Sequence, residues 1–372
     1  MSPLEESPFE RYNRESGERA RRAYYWATAV GLQDVDHLET SQYLENLARR
    51  HIEGEVSSAQ AGELIESYYR EESRHETGDA TQASREREAD LVATRITRLL
   101  EKRNFTFSSD YLFKIHRELF TEIYDFAGRP RGFNIVKSEW VLDGDTVTYG
   151  DAPAIEETLD YDLAREANFD YSGIGKSERI AHLARFVADL WQIHPFAEGN
   201  TRTVAVFFIK YLDVLGLGVT NDTFLKHSWF FRNALARANY RNRLLNIEPT
   251  DEFLVLFLRH LFGENGLELS NRTMHISGAW NSAASRKPDI GEEKPDIVDL
   301  FPRLAAFHSN TRQHALTLFE TFGSEGIFGR GAVIELIGLS PSAASELLAK
   351  LRNAGVIIPV NGHGKSKYRF AI

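Results

Sequence analysis

No cysteine occurs anywhere in the 372 residues, which excludes disulfides, thiolate metal sites and cysteine nucleophiles together. Basic excess is also lacking. The formal net charge is −10, which argues against broad, nonspecific polyanion binding and leaves room only for a local basic patch. MSPLEESPFERYNRES is polar and acidic, unlike a signal peptide, so no secretory leader is expected. The most apolar run, VAVFFIKYLDVLGLGV, contains Lys210 and Asp213 and is too short to span a bilayer. Internal repeats and low-complexity tracts are missing as well. What remains is 42% hydrophobic residues with 12% aromatics, enough for a sizeable core spread over two or three domains. These features lead us to expect a soluble, cytoplasmic protein with no membrane contact.

Apolar periodicity makes the fold mainly α-helical. YYWATAVGLQ stops at Gly31, a second segment over 40–53 aligns Tyr43, Leu44, Leu47 and Ile52, and SSAQAGELIESYY begins with capping serines. Residues 1–75 thus form a small helical unit, and the almost wholly polar 71–90 is a linker or an exposed helix start. Helical spacing continues through LVATRITRLLEKR and through SSDYLFKIHRELFTEIYDFAG, which ends at Gly128 before Pro130. The period then changes. FNIVKSEWVL and DTVTYG flank Asp143-Gly144, a pair suited to a tight hairpin because both central residues need positive φ. Helices are expected again at 154–167, 177–193, from about 200, at 226–245 and at 250–263. Residues 281–299, with two Lys-Pro-Asp-Ile copies, read as a linker. After it, the order helix, RGAVIELIG, SPSAASELLAKLRNAG and two short strands is that of a winged helix-turn-helix over 300–372, with Ser340 as a cap.

The stretch HPFAEGNTRT, residues 194–203, joins the amphipathic helix IAHLARFVADLWQI to a helix that is apolar nearly all round and therefore expected to be central. A helix start offers unsatisfied N–H groups to an anion. Gly199 permits close backbone approach, Arg202 adds a planar donor fork, Glu198 can hold a magnesium ion shared with phosphate, and His194 is the proton acceptor at the rim. Each alone has a plain structural explanation: Glu198 and Asn200 are capping residue types, and Phe196 is an anchor that packs the loop onto the core. An arginine in a first helical turn opposes the helix dipole, which favours an anionic partner for Arg202. Together the residues are the parts of a phosphoryl- or nucleotidyl-transfer site.

HPFAEGNTRT resembles the signature of the Fic/Doc family, His-x-Phe-x-Asp/Glu-Gly-Asn-Gly-Arg-x-x-Arg. IHRELFTEIYDFAGRPRGFNI resembles the stretch before that family's β-hairpin flap. The resemblance covers roughly 90–265. It implies transfer of AMP from ATP to a hydroxyl side chain of a target protein, with pyrophosphate leaving. His194 would then deprotonate the hydroxyl, and Glu198 would bind Mg²⁺. Phe196, Gly199, Asn200 and Thr201 would line the nucleotide site, and Arg202 would grip the β-phosphate. The target would lie along the flap near Val141–Tyr149. Thr201 stands where the motif has its second glycine, and Ala205 where it has its final arginine, which bears on donor choice. Two alternatives stay open: transfer of another phosphate-containing moiety, and a catalytically weak scaffold acting as a DNA-binding regulator.

WATAVGLQ and RRHIEGEVSSAQAGELIESYY resemble the small antitoxin segment of some Fic proteins, which inhibits through Ser/Thr-x-x-x-Glu-Gly. With Gly31 on the motif's glycine, Val30 stands on the glutamate and Trp26 on the Ser/Thr. The inhibitory glutamate and the arginine that it would pair with are therefore both missing, and residues 15–70 are expected to serve as packing or as a steric lid. In the C-terminal unit, Lys365, Lys367 and Arg369 of the wing are candidates for DNA phosphates, with Ser342, Ser345, Lys350 and Arg352 on the recognition helix. Homo-oligomerisation is left open.

Overall fold

The computed structural model describes residues 9, 12, 16–72, 80–217, 222–264, 266–277, 309–322, 326–360 and 367–371. The expected linker at 281–299 and Lys365 lie outside the described residues. Helices dominate: α1 (Glu18–Gly31), α2 (Gln42–Ile52), α3 (Ser58–Glu72), α4 (Ala80–Glu101), α5 (Ser109–Phe120), α6 (Ile155–Ala167), α7 (Lys176–Ile193), α8 (Asn200–Val214), α9 (Thr223–Asn239), α10 (Glu252–Leu261) and the short α11 (Asn271–Met274). Among the described residues, no helix is long and apolar enough to cross a membrane.

One hydrophobic core runs from Phe9 to Met274. α1 packs on α4 and α9, so the N-terminal helices share this core with the helices that follow. A buried carboxylate knits them together. Asp90 on α4 accepts the Ser41 backbone N–H at 2.9 Å, the Ser41 hydroxyl at 2.5 Å and the Tyr69 hydroxyl at 2.7 Å, joining the start of α2 to α3 and α4. Ser41 also caps α2 by accepting the Leu44 N–H. At the centre lies α8, buried along Asn200–Leu212.

Two sequence expectations are corrected. Residues 133–150 form no paired strands; a 3-10 turn at Trp140–Leu142 leads instead into Asp143 (φ 56°) and Gly144 (φ 83°). The left-handed pair is the one that Asp-Gly suggested. The segment reverses on the Glu139 N–H to Asp145 O bond (2.9 Å), while Val141 and Leu142 turn into the core and Trp140 packs on Trp229 and His275. Apolar side chains on consecutive positions suit this tucked turn better than a flat ladder. The helix expected over 226–245 ends at Asn239. Beyond it, Asn242 pairs with Ile247, its side chain accepts the N–H groups of Leu244 and Leu245, and Asn246 takes φ 55°.

A second, smaller core gathers Leu318, Phe328, Val333, Leu347, Leu351 and Phe370. Its elements run α12 (Ser309–Phe322), β1 (Phe328–Gly329), α13 (Arg330–Ile337), α14 (Pro341–Asn353), β2 (Ile357–Pro359) and β3 (Lys367–Phe370), with strand order β1-β3-β2, all antiparallel. Ser340 caps α14, and Pro359 sits on an edge strand, where its missing N–H costs no ladder bond. Phe133 packs against both cores.

Candidate active site

The junction between α7 and α8 carries His194 at the end of the first helix and Gly199 at the cap of the second. His194 closes α7 in the left-handed region (φ 50°, ψ 60°), with its N–H donated to Trp191 O at 3.1 Å. Arg131 pins the backbone there: its Nε donates to His194 O at 2.7 Å and its Nη2 to Ile193 O at 3.2 Å, while its own N–H reaches Pro195 O at 2.8 Å. The imidazole is 3% exposed and packs between Tyr149 (4.2 Å between centroids) and Trp191 (5.0 Å). Its Nδ1 lies 3.2 Å from Trp191 O. A carbonyl can only accept, so the proton sits on Nδ1 and the lone pair on Nε2. Burial holds the imidazole well below its ordinary pKa, and the cations Lys137, Arg131 and Arg232 push the same way. A neutral ring with an available lone pair is a proton acceptor.

The loop after it is held by its own side chains. Asn200 accepts the Phe196 N–H at 2.9 Å and donates to Phe196 O at 2.8 Å. Phe196 is fully buried against His116 (3.7 Å, nearly parallel) and Phe113. Phe196 is therefore a loop anchor and not a nucleotide-lining residue, and the Asn200 amide is spent on the loop. His116 completes the brace. Its Nδ1 accepts the Gly128 N–H at 2.8 Å, which leaves Nε2–H to donate to Glu198 O at 3.0 Å, and burial lowers its pKa to about 3. Gly199 begins α8 at φ 76°, and a Cβ there would stand 2.4 Å from the Phe120 ring, so glycine is required on both counts. Thr201, the departure from the family motif, accepts the Trp191 indole N–H at 2.9 Å and ties α8 to α7. Ala205 is wholly buried in the core.

The two charged residues of the stretch already have ionic partners. Arg202 is 1% exposed in its side chain and pairs with Asp36 at 2.8 Å and Glu88 at 2.7 Å. Gln33 and the Tyr124 hydroxyl accept from it at 3.2 Å each, and its guanidinium lies 4.8 Å from the Phe120 ring centroid. Burial lowers its pKa, but Asp36 and Glu88 outweigh that and raise it. The anionic partner that an arginine in a first turn calls for is thus supplied from within. Gln33 and Asp36 come from the turn Leu32–Asp36 directly after α1, in the antitoxin-like segment, whereas Val30 is only partly buried at the core's edge. Glu198 accepts the Lys137 ammonium at 2.6 Å on Oε2 and the Gly199 N–H at 3.2 Å on Oε1. Arg232 continues the chain of charges, 3.4 Å from Glu139 and 4.0 Å from Asp36.

These contacts bear on the expected magnesium site. Among the described residues no group of three or more His, Asp or Glu side chains could hold a metal ion, and Glu198 Oε2 is already taken by the Lys137 ammonium. A divalent cation on Oε2 would stand beside the ammonium; a double and a single charge about 4 Å apart repel by roughly 8 kcal/mol at an effective dielectric of about 20. With Lys137 in place, these residues do not fit a divalent cation.

Sequence reasoning singled out His194, Phe196, Glu198, Gly199, Asn200, Thr201 and Arg202; all lie at the junction of α7 and α8, with Phe196 buried there as an anchor. It missed Lys137, Arg131, His116, Asp36, Gln33 and Glu88, which meet the junction only through the fold.

Residues 106–212 match the Fic/DOC family. The chain is similar to "Protein adenylyltransferase VbhT" of Bartonella schoenbuchensis, at 34% identity over 190 residues, 51% of this chain and 36% of VbhT. It thus spans about a third of that relative's length. Among solved structures it is similar to the N-terminal FIC domain of Bep8 from Bartonella sp. 1-1C, with a TM-score of 0.39 and 19% identity, covering 52% of this chain and 92% of that one. It is also similar to a Fic family protein of Desulfovibrio desulfuricans G20, with a TM-score of 0.41 and 13% identity, covering 94% and 87%.

Proposed function

We propose that this chain, a Fic/DOC family protein through residues 106–212, is a protein adenylyltransferase that moves AMP from ATP to a hydroxyl side chain of a target protein. The observation that carries the reading is His194 at the end of α7, with Nδ1 3.2 Å from Trp191 O and the ring buried against Tyr149 and Trp191. The acceptor hydroxyl gives its proton to Nε2 as its oxygen attacks the α-phosphorus. The bond from the α-phosphorus to the bridging oxygen breaks, and pyrophosphate leaves. Catalysis is then mainly positioning and charge neutralisation. Backbone N–H groups of Asn200, Thr201 and Arg202 form the anion cradle at the helix start. Arg202 takes the β-phosphate by exchanging it for Asp36, since the guanidinium is surrounded by carboxylates in the closed site. The family as a class works with ATP and Mg²⁺, whereas each of these steps is carried by the chain's own residues.

The target is proposed to lie along Val141–Tyr149. Val141 is itself buried, so the contact is assigned to the backbone and the polar positions of that segment. For the C-terminal unit we infer a winged helix-turn-helix, supported by the element order α12-β1-α13-α14-β2-β3 and by the antiparallel sheet.

Incubation with ATP labelled at the α- or the γ-phosphate tests the central reading. Label on protein from the α-position only, reduced about 10²–10⁴-fold in His194→Ala, is the expected result. Transfer of γ-label would indicate kinase-like chemistry and refute adenylylation.

A further inference from the structure

Lys137 and Glu198 form a contact that the chemistry proposed above leaves unused. The ammonium lies 2.6 Å from Oε2 with 6% of its side chain exposed. A braced turn delivers it. The Lys137 N–H donates to Thr146 Oγ1 at 3.2 Å, and Glu139, two residues on, donates its N–H to Asp145 O at 2.9 Å. The Glu139 carboxylate in turn accepts the Tyr149 hydroxyl at 3.0 Å and pairs with Arg232. Lys137 is therefore set in position and is not a surface arm that has strayed inward.

We propose that Lys137 does at Glu198 the work that the family assigns to a divalent cation, so that donor phosphates bind this site without a metal. The inference rests on reading the site as a nucleotide site. Three features favour it. An ammonium carries three N–H donors spread about one nitrogen, so it can hold a carboxylate and a phosphate oxygen together. Lysine is also the compact point charge among the cationic side chains, nearer in size to a small ion than a planar guanidinium is. Finally, the Lys137 ammonium already holds Oε2 at 2.6 Å, so a metal on that oxygen would have to share it with a second cation. The carboxylate orients the ammonium at the cradle instead of ligating an ion.

Calorimetric titration of the full-length protein and of its Asp36→Asn variant with ATP, in EDTA and in MgCl₂, tests this. ATP affinity is expected to agree within about threefold between the two buffers. Lys137→Met is expected to lose about tenfold or more in EDTA, the scale of a lost charge-assisted contact, and to recover in MgCl₂ once Glu198 is available to the ion. Lys137→Arg keeps the charge but not the compact shape and should bind ATP in EDTA more tightly than Lys137→Met but less tightly than the parent, which separates lost charge from misfolding. Binding by the unsubstituted lysine protein only when Mg²⁺ is present would overturn the inference while leaving the nucleotide reading intact, with Lys137 then a plug that the ion displaces. No ATP binding in either buffer by either protein would overturn both.

Discussion

Arg202→Met removes the cation that Asp36 and Glu88 share and keeps an unbranched side chain of comparable reach. Each ion pair, at 2.7–2.8 Å between heavy atoms, has charges about 4 Å apart, or roughly 4 kcal/mol of attraction at an effective dielectric near 20. Desolvation offsets much of this, because the guanidinium side chain is only 1% exposed. Removing the cation leaves two carboxylates facing an apolar side chain beside Phe120. Loss of one partner from a buried pair costs about 3–5 kcal/mol. Asp36 and Glu88 are 22% and 19% exposed, and water at that edge places the expected cost near the lower bound, about 3 kcal/mol. For a cooperative unit of this size the Tm should fall by roughly 6–12 °C. Urea and thermal unfolding measure the loss, and hydrogen exchange should show α1 and the turn after it loosening first. The triple variant Asp36→Asn/Glu88→Gln/Arg202→Met should regain most of the stability, because no uncompensated charge remains. A single variant within about 1 kcal/mol of the parent, or a triple variant no better than the single, would refute the assignment of these charges as one coupled cluster.

Asp90 offers a pH test away from the site. Burial raises its carboxyl to about 6, and hydrogen bonds from Ser41 and Tyr69 oppose this only in part. A carboxyl raised in the folded state contributes stability that is fully present below its unfolded value near 3.8 and is lost as pH rises through about 6. Asp90→Asn should therefore gain on the parent by roughly 2–3 kcal/mol between pH 4 and pH 7. Stability curves in urea that run parallel over this range would contradict burial as the cause. If the C-terminal unit meets nucleic-acid phosphates through Lys367 and Arg369, a duplex gel shift should weaken steeply with salt, and replacing both residues by glutamine should flatten that slope by about 2. Binding that ignores salt would exclude phosphate contact.

The central position of α8 was legible because an apolar run with few polar interruptions has no face to give to water. The Asp143-Gly144 reversal was legible for a local reason too, the left-handed backbone that the pair tolerates. The strands expected on either side were not formed, because Trp140, Val141 and Leu142 each find apolar partners that alternation could not foresee. In the site, motif spacing exposed His194, Glu198 and Arg202 but not what pairs with them. Asp36 is 166 positions from Arg202, and Lys137 is 61 from Glu198. Such partners leave no periodic or compositional trace, since the fold alone makes them neighbours. Val30 occupied the expected inhibitory position by alignment and Ala205 that of its arginine partner, yet a carboxylate six residues past Val30, Asp36, reaches the motif's other arginine, Arg202.

Asp36 belongs to the same polypeptide as the arginine that it neutralises, and this gives the closed site a property that a separate subunit would lack. A competitor packed into the same core meets its site intramolecularly, at a strength fixed by the fold. Diluting the protein therefore does not release Arg202, and adding more protein does not hold it tighter. On the proposed reading, a phosphate would reach the arginine only in competition with this internal carboxylate, so the set point would be written into the chain rather than into the stoichiometry of two subunits.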